Sequence, residues 1–339
     1  MRMSRMLSLA ALVLATPALS ASTAPGGGNR LLMTTYWGDD RVALIDINGR
    51  AQGEELWSID VAKAADCLKP YDVRVTKGGA FAFVSCSGGS HVIAIDIAAQ
   101  QVAYAVGTGG APRDLQLFDN DRKLIVANSG SDTVSVVDLT TRKELYEFPV
   151  AVQPYGVALT DGGKTALITG WASGDLHIVT LGETSAKTRA VVPVGLLPYT
   201  VIASQGRAYV AVNAEDRVTI VDIKTAKVAE HLAVGRGPWS LAASLDGKNI
   251  LVTNNRSNSL SYLNVAGSAE EQDRIGTFGA GSHGTTQRQP KNASLSADGA
   301  TAVFTDLAAD QIVVLDVASG KLERVIQGGK APYGIEFLR

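Results

Sequence analysis

Short apolar runs rich in strand-forming residues recur along the chain, each closed by glycine, aspartate, asparagine or serine. The segment from Pro112 to Pro154 shows the unit: runs at 112–117, 123–128 and 133–138, turns at 118–122 and 129–132, and a fourth run ending at Val150. Runs this short, separated by turn residues at even spacing, predict four antiparallel strands and exclude a helical reading. Prolines open the same pattern at 70, 112, 154, 198, 238, 290 and 332, at intervals of 42, 42, 44, 40, 52 and 42 residues. A second marker ends the third strand of each unit at 46, 96, 138, 180, 222, 264 and 316; it is Asp at five of these positions, Thr180 and Asn264 being the exceptions. Both markers count seven. Four strands per period of about 40–45 residues is the signature of a propeller blade, so the expected fold is an all-β, seven-bladed β-propeller. The last unit stops after one strand, while the first begins at residue 31 without one, so the two fragments should pair in a single blade and close the ring.

At 339 residues the chain could form two domains, but an unbroken repeat leaves room for one, spanning 31–339. Residues 1–20 read as a signal peptide: Arg2 and Arg5 precede the apolar run 7–14, and Ala18 and Ser20 supply the small residues before a cleavage point. Residues 21–30 read as a flexible leader. The run is too short to span a bilayer in the mature chain, and the expected location is the periplasm, as a monomer. Without Arg2 and Arg5 the balance is 29 basic against 33 acidic side chains, a net charge of −4 that gives no drive toward nucleic acid or anionic membrane. Cys67 and Cys86 fall in one repeat, on the same end of one blade, with Cys86 expected opposite Tyr71. In an oxidising compartment they form a disulfide or, failing that, pack as two small buried side chains.

Val126–Asp138, reading VANSGSDTVSVVD, the stretch VGRGP at 234–238 and VTNN at 252–255 resemble the YVTN-repeat, WD40-like propellers of exported bacterial and archaeal proteins. The likeness extends over about residues 31–338. It implies the fold and leaves the activity open, since such propellers serve as binding scaffolds, surface proteins and partners of redox enzymes.

The innermost strand of each blade starts at the repeat proline, so the next residue should face the channel mouth: Tyr71, Arg113, Tyr155, Tyr199, Trp239, Lys291 and Tyr333. Five aromatics and two cations at one repeated position suit an anionic or π-rich ligand; rim packing by the aromatics is the plainer alternative. Trp37 and Trp171 lie beside a second repeated set, Tyr36, Cys86, Asn128, Gly170, Asn213, Asn254 and Asp306, whose Asn and Asp members suit turn capping. The 52-residue interval carries extra residues that include 279–288, a loop expected over the mouth with His283 and Arg288 as its reactive side chains.

No metal-ligating or haem-attachment spacing is present, and neither a metal nor a cofactor is expected. Lactonase-type propellers, to which the fold is similar, imply a glutamate on an early inner strand with Asn and Asp across the channel. Here Asn128, Asn213, Asn254 and Asp306 would have to serve, with Glu336 as the substitute glutamate. The leading expectation is therefore a periplasmic binding or scaffold protein for a small anionic or aromatic ligand or a protein partner. The other is a lactonase-like hydrolase or an accessory subunit of a quinone-dependent dehydrogenase system.

Overall fold

A computed structural model describes residues 30–48, 54–265, 270–275 and 289–338, the side chains of 270–275 excepted. Among the described residues, twenty-eight strands form seven four-stranded sheets, all antiparallel. Six blades run in chain order from the inner strands Pro70–Val75, Pro112–Phe118, Pro154–Thr160, Pro198–Ser204, Pro238–Ala243 and Pro290–Leu295, numbered I to VI here. Blade VII takes its inner strand, Pro332–Phe337, from the end of the chain and the other three, Leu31–Tyr36, Arg41–Asp46 and Glu54–Asp60, from the beginning. Leu32 pairs with Phe337 and Met33 with Glu336, which closes the ring as expected. The expected signal peptide and leader, and the 279–288 loop with His283 and Arg288, lie outside the described residues.

The core lies between blades. Phe83, Val92 and Val106 of blade I pack on Leu115, Leu124 and Val126 of blade II, and Ile125, Val134 and Phe148 of blade II pack on Val157, Ala166 and Ile168 of blade III. Alternating side chains of each strand thus face both neighbours, as a radial stack of sheets requires. The third-strand aspartates cap the following turn: Asp138 Oδ1 accepts from Thr140 N and Thr141 N, both at 2.8 Å, and Asp96, Asp222 and Asp316 do the same in their blades. Among the described residues one short α-helix, Val61–Ala65, interrupts the run of strands. Asp60 caps it by accepting from Lys63 N at 3.0 Å.

Two local features set the direction of the inner-strand side chains. First, the residue before the proline is left-handed in most blades, with φ of 52° at Lys69, 48° at Ala111, 51° at Gln153, 55° at Leu197 and 50° at Ala331. The strain is held by backbone hydrogen bonds to the blade's second–third loop, such as Ser87 N to Lys69 O at 3.1 Å and Gly88 N to Leu68 O at 2.9 Å. Second, the inner strand bulges just after the proline. Pro112 pairs with Asn128 but Leu115 with Val126, so three steps on the inner strand match two on its partner, and blades I and III to VI repeat this. A bulge re-aims the side chains beside it, here toward the axis. The same bulge places Cys86 opposite Pro70 rather than Tyr71. Cys67 and Cys86 form the expected disulfide, with Cα atoms 4.9 Å apart.

Candidate functional site

A hydroxyl that the sequence reading passed over locks the post-proline residues in place. On the second strand, Thr169 Oγ1 accepts from Gly156 N of its own blade at 2.8 Å and donates to Tyr199 O of the next at 2.7 Å. Thr253 joins Ser240 N to Lys291 O, Thr305 joins Asn292 N to Tyr333 O, and Thr35 joins Gly334 N to Tyr71 O. Where the fourth blade has Ala211, Thr200 Oγ1 donates to Trp239 O at 2.9 Å instead. Each carbonyl so held belongs to a residue of the axial ring.

All seven ring side chains converge. Tyr333 Oη donates to Tyr71 Oη at 2.9 Å with the rings 4.3 Å apart, and Tyr199 stacks on Trp239 at 3.8 Å. Tyr155 meets Tyr199 edge-on at 5.4 Å, and the pairs Tyr71–Tyr155 and Trp239–Tyr333 close the layer at 6.5 and 6.4 Å. These side chains touch across the axis, so they fill it at this level instead of framing an open mouth. Burial holds the Tyr71 and Tyr333 phenols protonated, far above the usual range. Trp171 joins the layer, stacked on Tyr155 at 5.5 Å. Trp37 makes no ring contact with it and lies 5.1 Å from Lys69 Nζ.

The two cations have unusual surroundings. Arg113 Cζ lies 4.7 Å from the Tyr71 ring centre and 5.0 Å from that of Tyr155, while its Nε donates to Ser129 Oγ at 3.0 Å. Lys291 Nζ lies 3.2 Å over Trp239, and the residue is only 7% exposed. Among the described residues neither has a carboxylate partner. Burial pushes the Lys291 ammonium down to about 7; the Trp239 face favours the charged form and works against that shift.

Below this layer, two and four residues past the prolines, lies a polar cluster absent from the sequence expectations. Arg74 donates to Asp72 Oδ1 from Nη1 and to Asp114 Oδ1 from Nη2, both at 2.9 Å. The Gln116 amide oxygen, in the orientation that satisfies its neighbours, accepts from Arg74 Nε at 3.2 Å. Asp114 Oδ2 accepts from Val157 N at 2.9 Å and Asp72 Oδ2 from Leu115 N at 3.4 Å, each bridging to the next blade. Burial raises the Asp114 carboxyl well above the usual carboxylate range; Arg74 opposes the shift and Asp72 adds to it. Glu336, the candidate catalytic glutamate, accepts from Val75 N at 2.7 Å and adds its charge to the field at Arg74. The cluster borders a cavity of ≈ 80 Å³, roofed by Tyr71, Tyr155, Tyr199 and Trp239 and walled by Asp72, Asp114, Thr200, Ser240 and Asn292. That volume holds a few water molecules or a very small ligand.

The residues considered for hydrolysis stand elsewhere. Asn128 Nδ2 donates to Ser135 Oγ at 2.8 Å and Asn213 Nδ2 to Pro238 O at 3.1 Å; the Asn254 amide oxygen, in the orientation that satisfies its neighbours, accepts from Ser261 Oγ at 2.9 Å, and Asp306 accepts from Gln289 N at 2.9 Å. None lines the cavity. The structure also brings His91 beside Cys67 and Cys86, which no sequence spacing indicated.

The family described as "Lactonase, 7-bladed beta-propeller" matches residues 169–334. No curated protein matches the chain significantly. Among solved structures, a functionally unknown protein from Desulfotomaculum acetoxidans superimposes with a TM-score of 0.77 at 13% identity, covering 90% of this chain and 98% of its own. A candidate 6-phosphogluconolactonase from Bacteroides fragilis gives 0.73 at 14% identity, covering 96% and 100%. The dihydro-heme d1 dehydrogenase NirN gives 0.64 at 13% identity, covering 91% and 75%. At these identities the likeness is one of fold.

Proposed function

We propose that the protein is an exported, periplasmic binding protein that takes a small anionic, aromatic ligand at the axial layer that carries Arg113 and Lys291. The observation behind this reading is the pair Arg113 and Lys291. Arg113 meets two tyrosine rings and the Ser129 hydroxyl and Lys291 meets the Trp239 ring, and among the described residues neither cation has a carboxylate counter-ion. An uncompensated buried cation costs stability, and a bound carboxylate or sulfonate removes that cost while its ring stacks on Trp171, Tyr155 or Trp239. Arg113 offers a planar donor group suited to such an anion.

Tryptophan emission is a direct probe, because Trp171 and Trp239 both belong to the layer. Indole-3-acetate and its uncharged amide, titrated separately, should differ: saturable quenching is expected for the acid and little for the amide. Equal responses would remove the electrostatic part of the proposal.

The hydrolase reading draws on the family match at residues 169–334. It would have to use Asp72 and Asp114, the carboxylates that reach the cavity, and these are already engaged by Arg74. A screen of aliphatic and sugar lactones checks it; turnover lost in D114N would favour it over binding alone.

A further inference from the structure

We propose that reduction of the Cys67–Cys86 disulfide turns this corner of blade I into a binding site for a soft, thiophilic metal ion, with both thiolates and the His91 imidazole as ligands. Three separate pieces of the blade meet here. Cys67 comes from the segment before the inner strand, Cys86 ends the second strand, and His91 begins the third, directly opposite Cys86 in the ladder. A ring nitrogen of His91 and the two Sγ atoms all lie within 4.8 Å of one another. Both cysteines are 0% exposed. His91 Nε2 is itself buried and makes no hydrogen bond among the described residues. A buried ring nitrogen without a partner is costly, and the imidazole that carries it stands beside two sulfurs, which in the disulfide form are very weak acceptors.

The chemistry follows from the donor set. Two thiolates and an imidazole suit Zn²⁺, Cd²⁺ or Cu⁺, and leave a coordination position for water or a further ligand. A dithiol reductant supplies two electrons and two protons, becomes a disulfide itself, and leaves Cys67 and Cys86 as thiols. Metal uptake then releases both thiol protons. In the oxidised chain the sulfurs have no charge to donate and the site is closed, so metal affinity is gated by the redox state. The hairpin turn at 87–90 and the ladder on either side fix His91 whichever state the sulfurs are in.

The full chain, reduced with a phosphine under anaerobic conditions and checked by circular dichroism for retained β structure, would be titrated with Co²⁺ and Cd²⁺. One equivalent should bind with a sulfur-to-metal charge-transfer band, and the oxidised chain should show none. H91A should weaken binding at least by the roughly 10–100-fold that loss of an outer-shell partner already costs; H91Q, which preserves volume, should do likewise. C86S should abolish the band. The proposal is overturned if the reduced chain shows no such band, if H91A and H91Q bind as tightly as the parent, or if reduction alone unfolds the blade.

Discussion

Arg113 and Arg74 lie one blade apart on neighbouring inner strands, yet their charges are handled in opposite ways. Arg74 spans Asp72 and Asp114 with two 2.9 Å bonds and sits in the field of Glu336, so its charge faces carboxyl groups and the Gln116 amide. Arg113, one layer higher, meets two tyrosine faces and a serine hydroxyl, Lys291 meets a tryptophan face, and neither meets a carboxylate among the described residues. The lower layer is internally satisfied and ties three successive blades together through Leu115 N and Val157 N. The upper layer carries positive charge that no described carboxylate meets. Structural charge and binding charge are thereby separated along one axis, and the difference is visible in what each cation touches.

Substitutions should keep the layers apart. The largest stability effect is expected from R74A, which strands two buried carboxylates and should cost on the order of 3–5 kcal/mol, read from urea unfolding; added guanidinium should recover part of the loss. The parallel change in the upper layer, R113Q with K291M, should leave stability intact or somewhat raised while lowering affinity for an aromatic anion by about tenfold or more, since each cation–π or ionic contact contributes roughly 0.5–2 kcal/mol. If R113Q/K291M unfolds as readily as R74A, the division into two layers fails.

Lys291 sharpens the comparison through pH. Its folded pKa, near 7, lies below the ordinary lysine value. Between about 7 and 10.4 the unfolded chain therefore carries a proton that the folded chain lacks, and this contribution to stability rises with pH across that window and is absent from K291M. Anion affinity should move the other way, falling as pH climbs through about 7 and Lys291 loses its charge. A parent and a K291M variant with the same affinity profile from pH 6 to 8.5 would contradict this. The smallest effect belongs to Y333F, which removes the Tyr333–Tyr71 hydrogen bond and should cost about 1 kcal/mol in thermal unfolding.

The period of the prolines was enough to read seven blades, the shared terminal blade and the axial ring, because the proline fixes the start of every inner strand and hence which residue follows it to the axis. What escaped was set by features that do not repeat in residue type. Positions two past the proline are Asp72, Asp114, Gly156, Thr200, Ser240, Asn292 and Gly334, so no single signature marks them. Arg74 becomes legible only when the 42-residue offset between Asp72 and Asp114 is read together with a cation two residues on. The closed layer was hidden for a different reason: a bulge sets how far each ring reaches inward, and periodicity does not report bulges. His91 could be joined to Cys86 only once the hairpin register was known.

Calorimetric titration of an aromatic carboxylate into the parent and into R113Q/K291M, at a pH below 7 and at equal fold stability, tests the central claim most directly. The account predicts measurable one-site binding in the parent and its loss in the double variant. Equal binding by the two proteins would contradict it.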